Sequence, residues 1–153
     1  MPFMPWFTKK TALPEAEQEM IVNAIRASEK KTSGEIRVYF ESRCRYVDPM
    51  DRATQIFYKL EMDKTANHNA VLVYVAMLDR QMAIYADKGI YEKTGEILWN
   101  DAVNLMRQAF RFNHYGKGIE AVVQAVGDAL HHHFPYDEST DKNELPDEIV
   151  FGK

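Results

Sequence analysis

Glu35, Asp63, Asn69 and Asp87 are the residues whose types and placement best suit chemistry. A hard cation such as calcium takes roughly six to eight oxygen ligands, drawn from carboxylates, amide and backbone carbonyls and water. Two or three carboxylates with Asn69 and nearby carbonyls make a site of modest affinity. A cation held there would also polarise a phosphoryl oxygen and orient water, if a phosphate ester bound beside it. The four residues run from position 35 to position 87, so only the fold can join them. The sequence has no EF-hand spacing, no H-E-x-x-H and no Cys/His ligand pattern. Asp87-Lys88-Gly89 also reads as an ordinary polar turn, and Glu35 as a solvated strand end.

Other residues invite chemistry and have plainer explanations. Successive helical residues point about 100° apart, so His131, His132 and His133 cannot all chelate one ion. In a last helical turn they suit the negative end of the helix dipole. His114-Tyr115 precedes a helix whose free N–H groups suit an anion, and also reads as a bare turn. Cys44 lies between Arg43 and Arg45, which favours a thiolate, but no histidine is near in sequence to act as base. Arg37, Arg43, Arg45 and Arg52 with Tyr39 and Tyr46 make a basic-aromatic set. A solvated strand face and loop explain it as well, and the net charge of −4 argues against a nucleic-acid binder.

The elements that must position these residues follow from periodicity. Pro14 to about Lys31 reads as a helix with Met20, Ile21, Ala24, Ile25 and Ser28 inward. Glu35–Glu41 alternates cleanly, with Ile36, Val38 and Phe40 on one face. Asp48-Pro49-Met50-Asp51 is a capped helix start, followed by Ala53, Ile56, Phe57 and Leu60. Asn69–Leu78 is apolar almost throughout, as in a strand covered on both faces. Asp79-Arg80 turns the chain into an antiparallel strand, Gln81–Ala86. The first two strands with their helix make a right-handed βαβ unit, hence parallel. Two more helices are expected. One runs from about Glu92 to Phe112, with Leu98, Ala102, Leu105, Met106, Ala109 and Phe110 inward. The other runs from about Lys117 to Phe134, with Ile119, Val122, Val123, Val126 and Leu130 inward. The expected fold is α/β: a layered α/β/α sandwich with a small mixed central sheet. In that topology the third strand ends, at Asp87, on the edge where the first two begin. Glu35, Asn69 and the Asp63 loop lie on that edge.

The length of 153 residues suits one domain. The expected organisation is an aromatic segment over 1–11 (Phe3, Trp6, Phe7), an α/β domain over 12–135, and an acidic, partly docked tail over 136–153. The single cysteine permits no internal disulfide, so a cytoplasmic location is expected. No run approaches the ~18 apolar residues of a membrane span, and Met1–Phe7 is too short for a signal peptide.

Several segments together resemble the TPM domain family, in particular its small, unfused bacterial members. They are Thr32-Ser33-Gly34-Glu35-Ile36-Arg37-Val38, Asn67-His68-Asn69-Ala70-Val71-Leu72, Tyr74-Val75-Ala76 and Asp79-Arg80. They continue through Asp87-Lys88-Gly89-Ile90, Trp99, Tyr115-Gly116-x-Gly118 and Asn143-Glu144-Leu145-Pro146-Asp147-Glu148. Ala70 replaces a usual glycine, and His68 stands where many members carry aspartate. The resemblance implies calcium binding in an acidic pocket, or acid-phosphatase activity as described for some plant members. Three functions are therefore carried forward. The first is a regulatory, non-enzymatic domain with a weak calcium pocket, magnesium or zinc being alternatives. The second is a metal-dependent phosphomonoesterase. The third is a protein-interaction module using the aromatic segment and the acidic tail.

Overall fold

The computed structural model describes residues 13–46, 48–136 and 149–151. Four strands form one mixed sheet: β1 (Glu35–Glu41), β2 (Ala70–Ala76), β3 (Gln81–Ala86) and β4 (Ile149–Phe151). They lie in the order β3-β2-β1-β4. β1 pairs in parallel with β2 from Glu35 opposite Ala70 to Glu41 opposite Ala76. β3 returns antiparallel to β2. β4 adds to β1 in parallel, with Val38 opposite Ile149, so the docked tail is a fourth strand. The acidic residues 137–148 and the aromatic segment lie outside the described residues.

Strand alternation divides the core in two. Ile36, Val38, Phe40, Val71, Val73, Val75, Met82 and Ile84 pack with α1 (Glu15–Glu29), α4 (Ile97–Arg111) and α5 (Tyr115–His133). Tyr39, Ala70, Leu72, Tyr74, Ala76 and Ala83 pack under α2 (Pro49–Lys59). All seven residues of β1 are therefore buried. Glu35, Arg37 and Glu41 on its polar face are buried too, where a solvated face was one sequence reading. Leu105, expected inward, is exposed, while its neighbour Met106 is fully buried.

α2 begins as its sequence dictates: Asp48 accepts the Met50 N–H at 2.9 Å and Pro49 takes the first position. The stretch after β3 departs from expectation. A separate short helix, α3 (Lys88–Thr94), precedes α4. Asp87 caps it by accepting the Lys88 N–H at 2.8 Å, so Asp87 starts a helix where a plain turn was the alternative. Gly95 ends it at φ 73°, a left-handed conformation natural to glycine. The polar turn Thr32-Ser33 closes the far end of α5. Thr32 Oγ1 donates to Leu130 O at 3.1 Å, and Ser33 N–H donates to Phe134 O at 3.0 Å. The helix's last carbonyls thus find donors beside the start of β1.

Candidate functional site

The amino-terminal edge of β1 and β2 gathers the predicted residues through backbone pairing. Glu35 N–H donates to Asn69 O at 3.3 Å, and Asp87 N–H donates to Ala70 O at 3.0 Å. One Asp87 oxygen caps α3, and the other lies 3.3 Å from His68 Nδ1. Asn69 is 1% exposed, Glu35 2% and Asp87 4%. Glu35 has interactions of its own and is not a free carboxylate. The Asn69 N–H donates to Thr65 Oγ1 and its side-chain Nδ2 to Ser33 Oγ, each at 3.3 Å. Its Oδ1 is buried and accepts no hydrogen bond among the described residues.

Asp63, half-buried, lies in a 3-10 turn (Met62–Lys64) just before Thr65. The Tyr85 hydroxyl pKa is raised first by burial, then by its contact with Tyr58, then by the charges of Asp87 and Asp63. Tyr58 and Tyr85 oxygens are 3.2 Å apart. Backbone pairing thus puts Glu35, Asn69 and Asp87 on one edge, with Asp63 in the turn before Thr65, whose Oγ1 accepts the Asn69 N–H. It does not bundle their carboxylates: among the described residues no three His, Cys, Asp or Glu are grouped so as to hold a metal. A cation here would need the Asn69 amide oxygen, backbone carbonyls and water beside Asp87. That donor set is all oxygen, which suits calcium or magnesium better than zinc. Sequence reasoning missed His68 as Asp87's partner. Its signal was the ring's place one residue before Asn69, in a turn at φ 50°.

The carboxyl-terminal edge holds a second polar group, which joins part of the basic-aromatic set to Glu41 and Tyr74. Arg52 donates to both Glu41 oxygens, from Nε and Nη2, each at 2.8 Å. The buried Tyr74 hydroxyl donates to the same carboxylate. Glu41 raises the Arg52 pKa, chiefly through these hydrogen bonds. Burial, then the Glu41 contact, raises that of Tyr74. Glu41, Arg43, Arg45, Tyr46 and Arg52 line a cavity of about 260 Å³. The basic-aromatic set is thus divided. Arg37 and Tyr39 are buried, while Arg43, Arg45 and Tyr46 are exposed.

His131 Nδ1 lies 2.8 Å from Lys31 O at the end of α5, and the His132 and His133 rings meet edge-on. Cys44 is half-buried, and its N–H donates to Asp79 at 2.8 Å. No described helix is long and apolar enough to cross a membrane.

A four-stranded mixed sheet with α2 on one face and α1, α4 and α5 on the other defines a small α/β sandwich domain. The chain belongs to the TPM domain family, whose sequence profile matches residues 7–129. It is similar to the NMR structure of the BA42 protein from the psychrophilic bacterium Bizionia argentinensis. That similarity has 37% identity and a TM-score of 0.85, and covers 95% of this chain and 99% of that one. The fold is shared with the N-terminal domain of cg2496 from Corynebacterium glutamicum, at 19% identity and TM-score 0.57, covering 85% and 86% of the two chains. An N-terminal domain from P. gingivalis shares it at 18% and 0.60, covering 82% and 83%. No curated protein sequence matches significantly.

Proposed function

We propose that this TPM domain is a regulatory, non-enzymatic module that binds a hard divalent cation, calcium foremost, weakly at the amino-terminal edge of β1 and β2. The observation that carries the reading is Asn69 Oδ1, a buried acceptor without a donor among the described residues, on the same edge as the buried carboxylate of Asp87. Leaving such an atom unsatisfied is costly, and a cation or its bound water would meet it. Asp63 adds charge, and Glu35 supports the edge from the first position of β1. With few carboxylates grouped there, the affinity is modest.

The metal-dependent phosphomonoesterase is less well supported. Metal-assisted hydrolysis needs the ion against the phosphoryl oxygen. The arginines suited to an oxyanion sit at the other end of β1, roughly 20 Å away at about 3.3 Å per strand residue. The test is thermal melting with millimolar calcium and with chelator. Calcium raises the melting temperature of the native chain and leaves that of Asp87→Asn unmoved, since asparagine still caps α3. Equal melting of the native chain in both conditions contradicts the proposal.

A further inference from the structure

The cavity at the carboxyl-terminal edge of β1 takes no part in the cation reading, and its chemistry is of the opposite sign. Glu41 is occupied by Arg52 and Tyr74. Asp79 is occupied by Arg43 Nη1 and by the Cys44 N–H, each at 2.8 Å. Arg45 is exposed and makes no hydrogen bond or ion pair among the described residues. Three guanidinium groups thus face two carboxylates that are already engaged, on a chain whose net charge is −4. This locally positive cavity goes against the average of the molecule.

The arginine loop is also held in place. Leu78 N–H donates to Ser42 O at 2.8 Å, and Met77 N–H donates to Glu41 O at 3.0 Å. Asp79, in the β2–β3 turn, fixes both the Arg43 side chain and the Cys44 backbone. On the other wall, Gln55 Oε1 accepts from Tyr46 Oη at 2.9 Å and from Arg52 Nη1. A guanidinium fork matches the oxygens of carboxylate or phosphate. Open α/β sheets bind ligands beyond the carboxyl ends of their strands. We propose that this cavity binds a small phosphate- or carboxylate-bearing oxyanion. Arg45 and Arg43 are its donors, the Arg52–Glu41 pair is a fixed wall, and Asp79 is the positioning residue.

The test is calorimetric titration of the full chain with inorganic phosphate and, separately, malonate, at constant ionic strength with chloride as control. Saturable binding at about 1 mM, weakening as salt rises, is expected for at least one probe. Phosphate ahead of malonate assigns tetrahedral oxygens, and the reverse order assigns paired carboxylates. Arg45→Gln, at an exposed position, keeps the native melting temperature and loses most of the affinity. Absence of saturable binding by both probes overturns the proposal, as does an Arg45→Gln variant that binds like the native chain. The site lies at the far end of β1 from Asn69, so its failure leaves the cation reading untouched, and the converse holds.

Discussion

Tyr74 carries a large electrostatic consequence at the level of one side chain. Its hydroxyl is buried and donates to Glu41, so the folded chain holds it protonated well above the ordinary tyrosine pKa. Tyr39 is raised by burial and then by the Glu41 charge, and Tyr85 by burial and Tyr58. A pKa raised by folding means that the unfolded chain loses its proton first. The stabilisation is therefore complete below about pH 10 and is lost progressively as pH climbs beyond it. Denaturant midpoints should fall above that pH, with tyrosinate absorbance rising together with loss of helical circular dichroism. Tyr74→Phe should reduce the slope of that decline. A variant with an unchanged slope would contradict the assignment. The burial itself was hidden in the sequence. Glu41 and Arg37 read as a polar strand face, and nothing local to β1 announces that this face will be buried.

At the scale of elements, the joint between the His68 turn and α3 is the tightest near the candidate site. A Cβ added at Gly89 would meet Asn67 O at 2.1 Å and His68 O at 2.6 Å. Both atoms are backbone, so neither can swing aside. Gly89→Ala should therefore cost about 1–3 kcal/mol, the range of overpacked positions, and shift the amide resonances of residues 67–69. A native denaturation midpoint would show that this turn yields freely. Elements were legible where a local signal was strong. The bounds of β1 and β3 follow from alternation and the Asp79-Arg80 turn, and the start of α2 follows from Asp48-Pro49. α3 escaped because seven residues barely complete two turns, too few to display a 3.6-residue period. β4 escaped as a strand because three residues gain their identity from pairing with β1, more than a hundred positions earlier in the chain.

The whole molecule sets two polar groups at opposite ends of one buried strand. The convergence of Glu35, Asn69 and Asp87 was readable because it depends only on strand direction: parallel β1 and β2, then an antiparallel return. Direction brings residues to an edge, but it does not aim side chains. Hence the carboxylates share that edge without forming a cluster, and the unsatisfied Asn69 oxygen and the His68 contact emerge only from three-dimensional packing. The arginine cavity was half legible: Arg43, Arg45, Tyr46 and Arg52 stood out as a basic-aromatic set, but their meeting with Glu41 joins a loop, a helix and a strand end.

The most direct test of the central claim is an amide NMR titration of the metal-free chain with calcium, with magnesium and zinc run in parallel. Saturable shifts confined to Glu35, residues 63–69 and Asp87-Lys88, larger for calcium than for zinc, are the predicted result. A well-dispersed spectrum with no change at those positions, or shifts spread evenly over the acidic surface, would contradict a cation site at this edge.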